Sequence, residues 1–417
     1  MHAGVDNSSN DPRNCWIVKF NFRRFNMNKK ISAAVASAAL VLGATSANAG
    51  IIIPAGEWTL DVNGNVNVYA SYTSYDDTGT AVTGGLAGVD NGSSDDNQTI
   101  GTGLLPAWLG FTGTTRQNDL DVSFTISMQP NVSDNAPSGD TKTPLFRQAF
   151  LTFGDASWGT VKMGKDLGIF AGNAILGDMT LLGVGSNAAN SGQSTTLGGI
   201  GTGYIYPAWK GQIAYTTPNM NGLTATVAIT NPNQIDATTI AAARQDRFGF
   251  EGQIQYAFDM GKVWVSGASY EYTTAGTAQG DWDAQAVDVG ATLNFGNASL
   301  TAYYYSGEGA GATIWGRYGV DGSYNERDSD GGYIQGTYVI PTGTKLGVAY
   351  GINNLDEANA SDTGNFLKEN NRWTVGAYHP LTKHLNLVAE YNRIESKSHN
   401  DLTNESDTMS LGAILFF

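Results

Sequence analysis

The sequence predicts an all-β protein whose strands form one closed antiparallel transmembrane β-barrel of 16 members. Two observations support this prediction. Apolar and polar residues alternate over long runs, which places two different environments on the two faces of a strand. Long polar connections also alternate with short turns along the chain, as they do in barrels whose two ends face different compartments.

The composition of the 417 residues fits such a barrel and excludes several other classes. Charged residues make up only 15%, and the net charge of −15 argues against a nucleic-acid partner, because such proteins present basic patches. Aromatic residues reach 11%, which supplies enough apolar surface to exclude a disordered chain. The single Cys excludes an intrachain disulfide. The sequence contains no motif that predicts a cofactor or a metal ion.

The first 49 residues are predicted to lie outside the barrel. Met27 begins a pattern typical of a secretory signal peptide: Lys29 and Lys30, an apolar stretch over 31–43, and small residues before a cleavage point after Ala49. The apolar stretch is shorter than the ~20 residues that span a bilayer. Because a signal peptide starts at the initiator methionine, residues 1–26 are interpreted as an upstream extension translated in error, or else as an unusually long leader. The signal peptide is then 27–49 and the barrel is 50–417.

Strands are predicted wherever residues alternate with a period of two. From Trp58 to Tyr72, three valines and a leucine share one face, while an aspartate and three asparagines share the other. The same alternation returns in four further runs without an interrupting Pro, at 119–129, 247–258, 287–295 and 409–417. In a membrane barrel the apolar face meets lipid and the polar face lines the lumen.

The connections determine the number of strands. Eight long polar loops are predicted at 74–106, 130–145, 166–206, 231–246, 273–283, 307–330, 353–371 and 393–406. Seven short turns separate these loops, near residues 117, 156, 220, 260, 297, 342 and 382. These connections join 16 strands, and both ends of the barrel chain lie on the short-turn side. Wall side chains cannot fill a barrel of this width, so a water-filled lumen is expected.

Four segments resemble the general diffusion porins of Gram-negative outer membranes, in the subgroup best known from Neisseria and the β-proteobacteria. They are residues 147–165, 213–223, 375–384 and the C-terminal strand ending in Phe417. The resemblance implies a homotrimer of 16-stranded barrels in the outer membrane, each with its own pore, in contact with lipid and lipopolysaccharide. It also implies that Phe417 belongs to the signal read by the barrel-assembly machinery.

The loop at 166–206 is the predicted selectivity element. It is the longest connection, and its apolar stretches would be costly in open water. In the porin family that this sequence resembles, the third long loop folds inward and narrows the barrel, and the same is expected here. Asp166 and Asp178 would then place negative charge at the constriction, opposed by Lys162, Arg247 and Arg372 on predicted lumen faces.

Two further basic residues enter through the resemblance alone. Arg147 and Lys165 share a strand face with apolar neighbours, so the alternation does not place them in the lumen. The resemblance assigns them to the rim or the constriction. Lys165 stands where the family often has Arg, and Thr382-Lys383-His384 replaces a basic pair at the last short turn, which limits the transfer of selectivity.

Three functions remain open at this point. The first is passive diffusion of inorganic ions and small hydrophilic solutes, with a slight cation preference caused by acidic external loops. The second is a channel specific for a sugar or an organic anion, with Tyr303, Tyr305 and Tyr333 as a solute track. The third is an exported adhesin or a barrel enzyme, although the histidines show no spacing typical of a catalytic or metal site. The prediction is therefore a diffusion channel and not an enzyme.

Overall fold

The computed structural model shows one antiparallel sheet that curls into a closed barrel. It describes residues 50–417 except 77–78, 91–95, 131, 133–144, 189–194, 232–242, 246 and 275–279. The predicted extension at 1–26 and the predicted signal peptide at 27–49 lie outside the described residues. Within the described part of the chain, no helix has the length and apolar character needed to cross a bilayer.

Nineteen strand segments build the sheet. The first nine are β1 (Ile51–Ala55), β2 (Trp58–Tyr75), β3 (Asp96–Gly101), β4 (Trp108–Gln117), β5 (Leu120–Gln129), β6 (Leu145–Asp155), β7 (Gly159–Leu167), β8 (Trp209–Thr216) and β9 (Leu223–Thr230). The other ten are β10 (Ala243–Gln245), β11 (Gly249–Phe258), β12 (Gly261–Thr274), β13 (Asp281–Phe295), β14 (Ala298–Glu308), β15 (Asp328–Val339), β16 (Lys345–Leu355), β17 (Leu367–Pro380), β18 (Leu385–Ser398) and β19 (Thr403–Phe416).

These segments occupy 16 positions in the wall, which confirms the predicted strand number. Three segments add no position of their own. Strands β3 and β4 pair with different parts of β2, β10 pairs with β12 beyond the end of β11, and β1 folds back onto the start of β2. The barrel closes where β19 pairs with β2, from Ser406↔Tyr75 to Phe416↔Asn65. Closure leaves no unpaired strand edge in lipid.

The two faces of the wall differ as the alternation predicts. On β19, Leu411 points outward and is 65% exposed, whereas the neighbouring Ser410 points inward and is 1% exposed. On β13, Val287 and Asp288 show the same contrast. The outward apolar side chains are accessible because lipid, rather than protein, covers them in the membrane.

Short connections gather at one end of the barrel and long ones at the other. The turn between β4 and β5 consists of Asn118 and Asp119, both with positive φ (49° and 62°), as a type I′ hairpin turn requires. The prediction of the last long loop is wrong in extent. Strands β18 and β19 pair as far as Lys397↔Thr403, so only residues 399–402 connect them. Polar outward side chains such as Arg393 and Glu405 suggested a loop, but the strands carry them beyond the apolar band.

Three long connections pack together over the mouth of the barrel. Val82 lies in the connection between β2 and β3. It clusters with Phe366, at the end of the connection between β16 and β17, and with Leu367, the first residue of β17. Arg327, at the end of the connection before β15, donates two hydrogen bonds of 2.7 Å to Asp362, and its guanidinium lies 4.1 Å from the ring of Phe366. These bonds hold the pKa of the Asp362 carboxyl below its usual value. We call this assembly the external cap; its core is Val82, Arg327, Asp362, Phe366 and Leu367.

Candidate pore constriction

The connection between β7 and β8 spans residues 168–208, and we call its described residues, 168–188 and 195–208, L3. L3 lies against the inner wall of the barrel. It contains a short helix, α1 (Gly172–Gly177), and a 3₁₀ turn, Met179–Leu182. Its first residues bond to inward side chains: Ile169 and Phe170 donate backbone N–H groups to Glu251 on β11. Ala171 donates its N–H to Asp288 on β13 over 3.0 Å.

The second half of L3 continues around the same side of the wall. Met179 donates its backbone N–H to Gln335 on β15, and Gln335 donates back to the carbonyl of Gly177 over 2.7 Å. Val184 and Gly185 donate backbone N–H groups to Glu390 on β18, over 2.9 and 2.8 Å. L3 is therefore attached in sequence to β11, β13, β15 and β18.

Three buried carboxylates carry most of this attachment: Glu251, Asp288 and Glu390. A buried charge is costly unless hydrogen bonds and opposite charges compensate it. Glu251 also pairs with Lys210 on β8 over 2.6 Å, and Glu390 accepts a hydrogen bond from Tyr378. Hydrogen bonds to charged groups contribute about 1.5–3 kcal/mol each, so the carboxylates fix the path of L3. The alternation had placed Glu251 and Asp288 on polar faces, but no local pattern marked any of the three carboxylates as an anchor.

Backbone geometry allows this close contact. Gly183 passes so near Glu390 that a Cβ atom would stand 1.9 Å from its Oε1. The carbonyl of Gly183 accepts the N–H of Leu104, which ties L3 to the segment that precedes β4. A larger residue at position 183 would push L3 away from its anchor.

The two predicted acidic residues of the constriction are each paired locally. Asp178 precedes the 3₁₀ turn and accepts hydrogen bonds from the backbone of Thr180 and the hydroxyl of Tyr204, both over 2.8 Å. Its carboxylate lies 3.9 Å from the guanidinium of Arg372 on β17. Asp178 thus acts as an N-cap and a partner of Arg372, not as an isolated charge.

Asp166 and Lys162 lie on the same inward face of β7. Lys162 Nζ donates to Asp166 over 2.6 Å, and Gln148 on β6 donates to the same carboxylate over 3.1 Å. The structure therefore joins the predicted opposing charges in a direct pair. The sequence suggested a transverse field between Asp166 and Lys162 across the aperture. The geometry does not provide this field, because the two side chains are in direct contact.

The structure corrects the predicted position of Arg247. Its guanidinium contacts Glu271 on β12 over 2.8 Å and lies 5.7 Å from the ring of Phe250, and both side chains face outward. Arg247 lies in a bend just before β11 begins at Gly249, so the alternation does not extend to it. Arg247 is an outer-surface residue.

Lys165 also lies outside the lumen. Its alternation with inward Asp166 places it on the outward face of β7, where Nζ donates to the carbonyl of Phe146. Arg147, by contrast, borders an internal cavity and interacts electrostatically with Tyr206 of L3. The resemblance had grouped Arg147 and Lys165, and the structure separates them.

The three tyrosines of the predicted solute track face inward and are buried. Tyr303 and Tyr333 stack with their ring centroids 5.8 Å apart. Tyr333 donates to the carbonyl of Ala174 in α1 over 2.8 Å, and Tyr303 donates to Asp288 over 3.2 Å. Tyr305 is fully buried. Tyr333 supports L3 directly and Tyr303 supports its anchor Asp288, and because all three rings are buried they do not form an open track in the described structure.

The opposite side of L3 borders free space. A cavity of about 160 Å³ separates L3 from the wall formed by β4 to β8. The wall contributes Trp108, Gln129, Gln148 and Trp209, while L3 contributes Leu176, Leu181, Leu197 and Ile200. On the cavity side L3 is also tied to the segment that precedes β4, where the N–H of Thr196 donates to the carbonyl of Gly103, so the cavity is a gap between L3 and the wall.

Two inward lysines lie nearer the short-turn end. Lys262 follows the turn into β12 and donates to Asn173 of α1 over 2.7 Å. Lys345 begins β16, and its Nζ lies 4.7 Å from the ring of Tyr378. The groups that contact these two ammonium groups in the described structure are neutral. The alternation with Val263 could have identified Lys262 as a lumen residue.

Phe417 completes the barrel at the chain terminus. Its carbonyl accepts the N–H of Gly64 over 2.8 Å, and its own N–H donates to the carbonyl of Gly64 over 3.1 Å. The last residue is thereby bonded to the first wall strand.

A closed 16-position barrel with an internal loop that leaves a narrow opening is the architecture of outer-membrane channels. The chain belongs to the Gram-negative porin family, whose sequence model matches residues 36–399. It is accordingly a multi-pass β-barrel of the outer membrane that forms a diffusion channel for ions and small solutes. Family and fold are those of a channel rather than of an enzyme.

Solved structures share this fold at low sequence identity. The outer membrane channel DcaP of Acinetobacter baumannii matches with a TM-score of 0.67 and 16% identity, over 87% of this chain and 99% of that chain. OmpF of Salmonella typhi matches with a TM-score of 0.58 and 15% identity, over 88% and 100%. OmpT of Vibrio cholerae matches with a TM-score of 0.54 and 14% identity, over 88% and 100%. No curated protein sequence matches the chain.

Proposed function

We propose that ions and small hydrophilic solutes cross the barrel between L3 and the wall of β4 to β8, and that the protein catalyses no reaction. One observation carries this route. Every anchoring carboxylate of L3 lies on the opposite wall, on β11, β13 or β18, and the cavity lies on the free side. A solute that follows this route meets L3 at its narrowest level.

The charged side chains near L3 support anion preference in the lumen. Asp166 is paired with Lys162, Asp178 lies beside Arg372, and Glu251 is paired with Lys210. Asp288 and Glu390 are held by backbone N–H groups of L3. Lys262 contacts Asn173 and the ring of Trp264, both neutral, whereas the charge of Lys345 is partly offset by Glu390 and Asp178. Rings of basic side chains favour anions. This differs from the slight cation preference suggested by the acidic external loops, because those acids lie farther from the constriction.

The assembled form is proposed to be a homotrimer. The outward face across β14 to β19 and β2 is apolar and concave, with a hollow of about 1460 Å³ that includes Val348, Val375 and Leu411. A structure of OmpT from Vibrio cholerae is described as a trimer form. The remaining outward surface would contact lipid and lipopolysaccharide, and Phe417 would be read by the barrel-assembly machinery. Mass measurement of the purified protein in detergent distinguishes a trimer from a monomer.

Export is proposed to follow cleavage of the 27–49 signal peptide, with the initiator at Met27. The mature chain would then begin at Gly50. Intact-mass spectrometry of protein from outer membranes checks the cleavage point, and normal export when translation can start only at Met27 checks the initiator. A mature N-terminus upstream of Met27 would contradict the proposal.

Single-channel recording in planar lipid bilayers tests the channel function and its selectivity. In symmetric KCl we expect current that rises in steps and is ohmic. In a KCl gradient we expect a reversal potential whose sign indicates anion preference. A protein that inserts but carries no current is not a diffusion channel. A reversal potential of the opposite sign would remove Lys262 and Lys345 as the selectivity determinants.

A further inference from the structure

The cavity beside L3 has an unusual lining for a passage of hydrophilic solutes. Apart from Gln129, Arg147, Gln148, Thr195 and Thr196, its lining residues are apolar or aromatic. Leucine and isoleucine side chains come from L3, and Trp108 and Trp209 come from the wall. A sugar placed here would lose hydrogen bonds between its hydroxyl groups and water without replacing most of them.

One edge of the same cavity is polar and carries a positive charge. Arg147 is the only charged residue among the described residues that line it. Arg147 interacts electrostatically with Tyr206, which also lines the cavity. Its backbone N–H donates to Gln129 over 3.0 Å, and Gln148 beside it is held by Asp166. The polar edge is therefore positioned by the wall rather than by L3.

We propose that this cavity binds small organic monoanions with a compact apolar body, such as an aromatic carboxylate. The inference rests on the proposed route through the cavity and names the solute class that the route favours. A guanidinium forms strong, oriented hydrogen bonds with a carboxylate. The apolar body displaces water from the leucine and isoleucine side chains.

The size of the cavity agrees with this class of solute. Apolar cavities of about 150 Å³ accept one benzene ring, and the cavity here measures about 160 Å³. A disaccharide exceeds this volume. Acetate fits but leaves the apolar lining unfilled, and benzamide has the ring but lacks the charge.

The test combines calorimetry on the purified protein with block of single-channel KCl current. Sodium benzoate is the probe, and acetate, benzamide and glucose are the comparison solutes. We expect benzoate to bind and to block the KCl current. Each comparison solute should act at least roughly tenfold more weakly, because it lacks the charge-assisted hydrogen bond or the apolar contact. Equal effects of benzoate and benzamide, or of benzoate and acetate, would overturn the proposal.

Variants locate the site. Arg147→Gln should weaken benzoate binding by roughly tenfold, whereas Arg147→Lys should retain part of it. Leu176→Ser should weaken benzoate binding without changing the response to acetate. Arg393→Gln is the matched control, because Arg393 lies on the outward face of β18 in contact with Glu405 and Asp407. Benzoate binding that is unchanged in Arg147→Gln, or lost equally in Arg393→Gln, contradicts the assignment.

The two measurements separate the inference from the proposed function. Normal KCl current without benzoate binding overturns the inference and leaves the diffusion channel intact. Benzoate binding without any KCl current supports the site but overturns the proposed route. Absence of both overturns both.

Discussion

Replacing Glu390 by Ala tests whether the wall carboxylates hold L3 in place. In the native chain one carboxylate oxygen accepts the backbone N–H groups of Val184 and Gly185, and the other accepts the hydroxyl of Tyr378. Each buried N–H left without an acceptor costs ~1–3 kcal/mol, so two cost roughly 2–6 kcal/mol. A free-energy change of 1.4 kcal/mol is a factor of about ten in an equilibrium constant. Even the lower value therefore raises the equilibrium constant for local detachment of L3 by more than tenfold.

Single-channel recording detects this detachment as larger conductance or greater open-channel noise. Glu390→Gln is the matched control, since it removes the same charge but keeps a carbonyl oxygen for the two N–H groups. We expect the Ala variant to change the current and the Gln variant to stay near wild type. Equal changes in both variants would mean that charge, and not anchoring, sets the conductance. A thermal unfolding scan of both variants confirms that the barrel itself is formed.

Three further predictions concern charges elsewhere in the barrel. Lys262→Gln combined with Lys345→Gln should move the reversal potential in a KCl gradient toward cation preference, by about tenfold in permeability ratio if each charge contributes ~0.7 kcal/mol near the passage; an unchanged potential would exclude them. Arg247→Gln should leave selectivity unchanged because Arg247 faces outward, and a shift would return it to the lumen. Asp362 has a lowered pKa because Arg327 donates hydrogen bonds to it, so its stabilisation of the external cap is complete above the unfolded-state pKa of about 4 and disappears as the pH falls through the lower folded-state value. The protection factors of residues 356–366 against hydrogen exchange, taken relative to the unfolded chain at the same pH, should therefore fall in acid and, in Asp362→Asn, already at neutral pH; equal protection of wild type and variant at neutral pH would contradict this role.

The barrel could be predicted from the sequence because its determinants are local. A period of two assigns each residue of a strand to lipid or lumen, and the lengths of connections assign the ends. Lys162 and Arg372 were placed on inward faces in this way, and the structure has them there. Asp166 was expected in the loop, but β7 extends to Leu167 and places Asp166 on the inward face. The same rule failed at Arg247 because a bend interrupts the strand two residues before Gly249.

The arrangement of the constriction could not be predicted because its contacts join distant parts of the chain. Asp178 meets Arg372, and Glu390 meets Val184, through loop geometry that no local pattern records. Acidic residues in L3 suggested exposed charge at an aperture. Their actual role, as caps and ion-pair partners, depends on which wall L3 approaches.

The seam between β2 and β19 has a consequence for biogenesis. The residues that join there lie far apart in the sequence, and Phe417 itself bonds to Gly64. No shortened nascent chain can complete the ring, because until its final residues arrive both terminal strands keep unsatisfied amides that hydrocarbon does not tolerate. Such long-range pairing is also slow to form. Truncation by a few C-terminal residues should therefore leave molecules stranded in the periplasm, exposed to its proteases, rather than inserted with a gap.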